Sequence, residues 1–348
     1  MGADRVPYLS AFSEYIRQDV PVFKQDWWLD IVSRSSNYRE LKVSRKGKIA
    51  GRLAFVAARN RLGLVYGHDP YWSHLGGPIL AEDMNRFEQA EVLGLLLDQL
   101  PRWGSFSFVC DPSMSYADLV RNSFREAGFE HSTQTTYLQF PEDGDALNAR
   151  DSKHRGHFKR AAKSLACVDV GASEFVRFFE NNLKTKGETS YAPLAMLPHL
   201  IEEAMRQGCA RAIAAKPNYL DGSARHGTHL GYDAAIVYLW DSCRCYYWLS
   251  TRRTALDSEG LPKPHPDAVK FLVLKAMEHA RAMNLVFDAD GVATPGADHL
   301  YRNILGLRKE ERRDVFQRVH TLERLYRKSR QGFLLSVSPL RQKRIVPL

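Results

Sequence analysis

The sequence has few cysteines and no apolar run long enough to cross a membrane. Its 348 residues include five cysteines, too few for the disulfide framework of a small secreted protein. No stretch approaches the roughly 18–20 apolar residues of a transmembrane helix. The first residues also lack the basic-then-apolar pattern of a signal peptide. We therefore expect a cytoplasmic protein with reduced thiols and no membrane span.

Several common catalytic signatures are also missing. The chain contains no G-x-S-x-G motif and no Walker A motif, and no G-x-G-x-x-G stands in the right context. These absences argue against nucleophilic-serine, P-loop and dinucleotide chemistry. His154 and His157 have helical ligand spacing, but no cysteine or carboxylate accompanies them. We therefore predict neither a metal site nor a tightly bound cofactor.

The positive charge is concentrated in two regions. The net charge is +9, and residues Arg308–Leu348 hold twelve Lys or Arg against four Asp or Glu. Residues Arg150–Lys163 hold six Lys or Arg and one Asp. Such surfaces attract phosphate groups of nucleic acids, nucleotides or cofactors. A solvated helix face followed by a basic tail would have the same composition, so charge alone leaves both interpretations open.

The order of predicted elements is similar in the two halves of the chain. Arg45-Lys46-Gly47 predicts a hairpin, Asp83 and Ser173 are predicted helix caps, and Asp267–Met283 shows a single apolar helix face. Each half then predicts a mixed sheet with helices on its faces. We expect an α/β (α+β) fold of two tandem domains, each a mostly antiparallel mixed sheet flanked by helices, with a cleft between them. The expected boundaries are 1–145 for the first domain, 146–172 for a basic linker helix, 173–335 for the second domain and 336–348 for a basic tail.

Several short motifs occur in a characteristic order. They are Asp26-Trp27-Trp28, Gly76-Gly77-Pro78, Gly128-Phe129 with Thr135-Thr136-Tyr137-Leu138, Arg155–Lys163, Phe287–Gly291 and Tyr301–Gly306. Their order and spacing resemble the FemABX-like family of bacterial proteins with a FemAB-type GNAT domain, over about residues 20–320. The resemblance implies the acyltransferase fold of the GNAT superfamily, used twice.

The resemblance also implies a function. Members of this family form an amide by direct attack of an amine on an activated acyl donor, which is an acyl-CoA or an aminoacyl-tRNA. The expected partners are therefore a small-molecule or peptide amine and one of these co-substrates, with tRNA among them. The alternative is a non-catalytic RNA- or phosphate-binding protein that retains the GNAT fold.

The donor can be examined at the loop before the long helix. Acetyl-CoA enzymes of this superfamily usually carry [QR]-x-x-G-x-[GA] there, and this sequence contains no match. The loop Thr251–Pro266 occupies the place instead and supplies basic side chains at a helix start. This favours a Fem-like donor, and it leaves an acyl-CoA with an unusual phosphate loop as an open alternative.

Three residues are candidates for acid–base chemistry. Asp288 and Asp290 follow the strand after the long helix, where a carboxylate could orient or deprotonate the amine. Asp290-Gly291 is also a common turn sequence. His265 stands between two prolines at the helix start and could be a base or a phosphate contact. The strand Cys243–Ser250 is the expected surface for the oxyanion.

The binding residues are predicted from charge and aromatic character. Basic residues in the long loop and on the basic helix are the expected contacts for donor phosphates, and loop aromatics are expected to line the acceptor pocket. The phosphate-binding candidates are Arg252, Arg253, Lys263, Lys159 and Lys163. The acceptor-binding candidates are Tyr71, Trp72 and Tyr301.

Overall fold

The computed structural model describes residues 20–59, 63–144, 152–190, 192–218, 231–254, 262–289, 295–307 and 309–321. Asp290 and the predicted basic tail lie outside this part of the chain. Within these ranges, no helix combines the length and the apolar character needed to span a membrane. The chain divides into two compact units. We call them the 28–135 unit, which includes the described residues from 312 onward, and the 136–311 unit, which includes residues 20–27.

Helices and strands alternate along the described ranges. The strands are β1 (Tyr38–Arg45), β2 (Lys48–Arg59), β3 (Val65–His68), β4 (Ile79–Leu80), β5 (Gly104–Cys110), β6 (Glu130–Gln139), β7 (Leu165–Asp169), β8 (Ala210–Pro217), β9 (Ala234–Trp240), β10 (Arg244–Arg252), β11 (Val286–Asp288) and β12 (Lys309–Arg318). The α-helices are α1 (Asp26–Val32), α2 (Arg86–Asp98), α3 (Ala117–Glu126), α4 (Ser152–Ser164), α5 (Ala172–Lys186), α6 (Leu197–Arg206), α7 (Ala268–Ala282) and α8 (Pro295–His299).

In the 28–135 unit the strands follow the order β1-β2-β3-β5-β12, and β4 also pairs with β2. The β1–β2 turn has Lys46 at φ 49° and Gly47 at φ 77°, as a type I′ hairpin turn requires. Strands β3 and β5 are parallel, and the other pairs are antiparallel. Because parallel neighbours need a crossover, the chain between β3 and β5 carries helix α2, which packs on β1 and β2.

In the 136–311 unit the strand order is β6-β11-β10-β9-β8-β7. Strands β10 and β11 are parallel, and the other pairs are antiparallel. Helix α7 is the crossover between β10 and β11, and it packs on β8, β9, β10 and β11. Its predicted apolar face is buried, since Leu272, Val273, Ala276 and Ala280 are almost inaccessible to solvent.

The fold class is therefore confirmed, because each unit is a mixed and mostly antiparallel sheet with helices packed on it. The tandem repeat and its linear domain boundaries stay predictions. Two helix starts differ from expectation: Asn85, not Asp83, caps α2, and Gly171, not Ser173, precedes α5. Strand β7 was not expected, because its five residues directly continue the basic helix in the sequence.

Candidate functional site

A pocket of about 390 Å³ lies in the 136–311 unit, where α4 meets the segment that leads into α7. One side comes from the last turns of α4, and the other comes from the residues just before the crossover helix. Its lining residues are His157, Arg160, Lys163, Ser164, His265, Pro266 and Asp267. The pocket thus joins two segments, the basic helix and the long loop, that the sequence nominated independently for phosphate binding.

The cationic side chains of this pocket come from α4. Arg160 and Lys163 are exposed, and neither has an ion-pair partner among the residues the structure describes. Lys159 is also exposed on α4 but does not line the pocket. Two such cations on one wall make the pocket attractive to an anion. The predicted residue Lys163 is therefore at the pocket, and Arg160 joins it.

Asp267 is the one carboxylate in the lining. Its oxygens lie 2.7 Å from Lys270 Nζ and 3.3 Å from His157 Nδ1. Burial acts to raise the pKa of Asp267, but the hydrogen bond and charge of Lys270, together with His157, outweigh burial and lower it. Although Asp267 is the N-cap residue of α7, its side chain makes no capping hydrogen bond. The carboxylate of Asp267 is therefore directed to Lys270 and His157 rather than to the helix amides.

His265 has a defined orientation beside Asp267. Its backbone N–H donates to Asp233 Oδ2 at 2.8 Å, and its ring Nδ1 accepts from the Asp267 backbone N–H at 3.1 Å. The predicted residue thus lines the pocket with both its main chain and its ring attached to neighbouring groups.

The two adjacent arginines at the end of β10 have different environments. Arg253 is buried, and its Nη2 donates to Asp233 Oδ1 at 2.8 Å and to the Pro262 carbonyl at 2.8 Å. Arg252 is exposed, as is Lys263. None of the three lines the pocket. The guanidinium of Arg253 therefore binds groups of the protein itself, while Arg252 and Lys263 present their charges to solvent.

The central strands separate beyond the start of β10. The pairing of β10 with β11 ends at Tyr246 and Asp288, whereas β10 continues along β9 to Arg252, with a register shift between Tyr247 and Leu249. Arg253 N–H donates to the Asp233 carbonyl at 3.0 Å. Since successive amides of a strand point to opposite edges, the amides of Ser250 and Arg252 face away from β9. Backbone amides that face away from β9 are thus present on this strand, and its use as the oxyanion surface stays a prediction.

Asp288 is completely buried at the end of β11. Its Oδ1 accepts from Thr136 Oγ1 at 2.6 Å, and Arg244 Nη1 lies 3.4 Å from its Oδ2. Asp290, the other candidate carboxylate, lies outside the described residues. The structure therefore shows Asp288 as an acceptor in an internal polar cluster.

Tyr301 lies in the same unit, in a π-helical turn after α8. It is 5% exposed, and its ring centroid lies 6.3 Å from the rings of both Tyr137 and Tyr247. Burial raises the pKa of Tyr301 well above its ordinary value, and Tyr247 and Asp288 raise it further. Burial also raises the pKa of Tyr247 to about 12. Both phenols therefore stay protonated at neutral pH and can donate hydrogen bonds.

The aromatic loop that was predicted to line an acceptor pocket belongs to the 28–135 unit. Trp72 is fully buried, with a left-handed backbone at φ 65°. Tyr71 is partly exposed, and its hydroxyl lies 3.4 Å from Asn37 Nδ2. Asp69 fastens the loop, because its carboxylate accepts from the backbone N–H groups of Gly77 and Val109. Of the two predicted residues, only Tyr71 is therefore accessible from this loop.

Of the pocket residues on α4, Arg160 belongs to the basic stripe expected to bind phosphate, whereas His157 was considered only as a metal ligand and Ser164 was not considered. His157, Arg160 and Ser164 follow i, i+3, i+7 spacing and so share a helix face, which the predicted pair Lys159 and Lys163 did not reveal. Asp233, which fixes His265, carries no sequence signal of its own. Within the described ranges, no group of three or more His, Cys, Asp or Glu side chains is arranged for metal binding.

Comparisons with known proteins extend this picture. No protein-family model and no curated protein matches the chain. Among solved structures, FemX superimposes with a TM-score of 0.56 at 12% identity, covering 88% of this chain and 94% of FemX. The chain has the fold of FemX. The FemX-like fold expected from the resemblance is thereby confirmed.

Other similar structures are more distant. The C-terminal domain of a putative lysylphosphatidylglycerol synthetase from Agrobacterium fabrum has a TM-score of 0.48 at 14% identity, covering 88% of this chain and 94% of that one. A GNAT-family acetyltransferase from Colwellia psychrerythraea has a TM-score of 0.43 at 11% identity, covering 84% and 88%.

Proposed function

We propose that this protein is an N-acyltransferase that forms an amide between an activated acyl or aminoacyl donor and an amine. The observation that carries the proposal is the cationic pocket at the start of α7, within a FemX-like fold. A pocket with free cations suits the phosphates that acyl-CoA and aminoacyl-tRNA have in common. The proposed acceptor is a small-molecule or peptide amine.

The donor's phosphates are assigned to the pocket. Arg160 and Lys163 supply charge, and His265 supplies a polar ring from the opposite wall. The exposed residues Lys159, Arg252 and Lys263 are proposed to contact more distant phosphates of a long donor. Arg253 has a different proposed role, since its guanidinium is bound to Asp233.

The chemistry is assigned to the separated strands. The amine lone pair attacks the acyl carbonyl, a C–N bond forms, and the carbonyl oxygen gains negative charge that the Ser250 amide is proposed to stabilise. The C–S or C–O bond to the donor then breaks, and the leaving group takes up a proton. Tyr301, whose raised pKa keeps its phenol protonated, is proposed to donate a hydrogen bond, as an acceptor contact or toward the leaving group.

The proton of the amine needs an acceptor. Asp288 is already engaged by Thr136 and Arg244, so we assign it to orienting these groups. Asp290 remains the proposed base, two residues further along the chain.

The experiment offers the purified protein pooled acyl-CoAs, aminoacyl-tRNAs and amines, and follows the products by mass spectrometry. We expect one amine to gain the mass of one acyl group. Arg160→Ala/Lys163→Ala should lower kcat/KM for the donor by about 150-fold or more, because each charged contact contributes about 1.5 kcal/mol or more. Arg177→Ala/Lys186→Ala removes the same charge from exposed positions on α5 and should have little effect. Transfer that is equal in both double variants would refute the pocket assignment.

A second function is favoured by the same basic helix. The exposed cations Lys159, Arg160 and Lys163 would also suit a non-catalytic RNA-binding protein. Such a binder would show no turnover, and its affinity would fall steeply with salt for many RNA sequences. Turnover with one donor class excludes this alternative.

A further inference from the structure

His265 is fixed by contacts on both its main chain and its ring. The backbone N–H is bonded to Asp233, and ring Nδ1 accepts the Asp267 backbone N–H. Pro264 and Pro266 flank the residue, and each restricts the backbone of its neighbour. The ring therefore has one orientation relative to the pocket it lines.

The anchor of His265 is itself buried. Asp233 and Arg253 are 2% and 3% exposed, and their side chains form an ion pair at 2.8 Å. Asp233 immediately precedes β9 and Arg253 immediately follows β10, so the pair belongs to the sheet. The same guanidinium holds the Pro262 carbonyl. This ion pair thus attaches the segment before α7 to the sheet at residues 262 and 265.

The hydrogen bond at Nδ1 determines where the ring carries its hydrogen. A backbone N–H can only donate, so Nδ1 of His265 must be unprotonated in this geometry. The neutral ring then carries its hydrogen on Nε2. A proton added to Nδ1 would face the Asp267 N–H and break the bond. In this geometry the ring therefore presents its N–H donor at Nε2.

We propose that His265 is a fixed hydrogen-bond donor that binds a phosphate oxygen through Nε2–H, and that Asp233 and Arg253 are its positioning residues. The inference rests on the proposed function, in that the pocket receives a phosphate-bearing donor. It assigns His265 to donor binding and removes it from the candidates for the base.

The test uses inorganic pyrophosphate as the probe and the full chain as the protein. Binding is measured by calorimetry for the wild type, His265→Ala and His265→Gln. Glutamine keeps an N–H near the position of Nε2, so its affinity should stay within about 3-fold of the wild type. Alanine should weaken binding by about 10-fold or more, since a hydrogen bond to a charged group is lost. Equal binding by His265→Ala and the wild type would overturn the inference.

A second measurement needs no variant in the pocket. Nitrogen NMR of the histidine side chains distinguishes the two neutral tautomers of the imidazole ring. We expect His265 in the Nε2–H form, with its signals moving when pyrophosphate is added. Asp233→Asn should weaken pyrophosphate binding and broaden or shift these signals, whereas in the His265→Ala variant, which has no donor side chain to position, the second substitution should have little further effect on binding. An Nδ1–H tautomer in the wild type would contradict the inference.

The outcomes separate this inference from the proposed function. Pyrophosphate binding through His265 without any acyl transfer would refute the function and leave the inference intact. Acyl transfer with unaltered donor affinity in His265→Ala would refute the inference and leave the proposed function intact. No pyrophosphate binding by the wild type would refute both the inference and the phosphate assignment of the pocket.

Discussion

Helices α2 and α7 have the same place in their units, because each lies on the crossover between two parallel strands. Their first turns differ. Asn85 and Glu88 form a complete capping box on α2, with side chain-to-backbone bonds of 3.0 and 3.1 Å. At α7 the side chain of Asp267 makes no capping bond and pairs with His157 and Lys270. Side chains of α2 and its N-cap thus bond the backbone amides at the start of α2. The start of α7 has no such side-chain cap and lies beside a cationic pocket.

The loops before the two helices show the same contrast. The loop of the 28–135 unit has a buried carboxylate, Asp69, that accepts two backbone N–H groups, and a buried Trp72. The loop of the 136–311 unit uses its buried ion pair to hold His265 at a pocket. The loop before α2 is therefore held by its own buried groups, whereas the loop before α7 borders the cationic pocket.

The largest expected effect is on stability and concerns Asp69. Asp69→Ala would leave the N–H groups of Gly77 and Val109 without their acceptor, at about 2–6 kcal/mol of the free energy of unfolding. Chemical denaturation measures the loss. Pyrophosphate affinity of the folded fraction should not change. A reduced pyrophosphate affinity at unchanged stability would show that the loop of the 28–135 unit also affects anion binding, which contradicts the difference between the two loops.

The next largest effect is on stability at acid pH and depends on the carboxylate of Asp267. Lys270 and His157 lower the pKa of this carboxylate in the folded state, so its ionised form contributes stability above its unfolded pKa of about 4. This stability is lost as pH falls through the lower folded pKa. Asp267→Asn should therefore lose less stability than the wild type between about pH 5 and pH 2. Identical acid-unfolding curves for Asp267→Asn and the wild type would show that the ion pair of Asp267 with Lys270 contributes nothing to the free energy of unfolding.

The same substitution, Asp267→Asn, should also change the affinity of the pocket for an anion. Asp267→Asn removes a negative charge from the lining and weakens the contacts with Lys270 and His157. We expect pyrophosphate to bind about 3–10-fold more tightly, equivalent to roughly 1 kcal/mol. Calorimetry checks this, and weaker binding would mean that Asp267 organises the site rather than opposing the anion.

The smallest effect is at the start of α2. Asn85→Ala removes the capping box and should cost about 1 kcal/mol of unfolding free energy. Because this terminus is satisfied by the chain itself, pyrophosphate affinity should be the same as in the wild type. A change in affinity here would indicate that α2 also takes part in anion binding.

Local patterns in the sequence predicted much of the fold. Lys46-Gly47 predicted the β1–β2 turn, and the apolar spacing from Val269 to Ala280 predicted the buried face of α7. The cap of α2 was misplaced by two residues, because both Asp83 and Asn85 are good caps and only Asn85 has a glutamate three positions later. These features depend on neighbours within a few residues, which is why sequence reasoning reaches them.

The site depended on contacts that no local pattern shows. Lys163 and His265 were predicted separately, and only folding brings them to one pocket. Adjacent arginines on a strand point to opposite faces, so one of Arg252 and Arg253 had to turn inward. Which one did so is decided by Asp233, twenty residues away in the sequence. The burial of Trp72 could not be predicted from the sequence either, since loop aromatics occur both in cores and at binding surfaces.

Hydrogen exchange with and without saturating pyrophosphate tests the account most directly, because it compares both crossover helices in one experiment. We expect slower exchange in residues 155–164 and 262–271, which surround the pocket, and no change in residues 83–89 at the start of α2. Protection at 83–89, or unchanged exchange in both pocket segments, would contradict it.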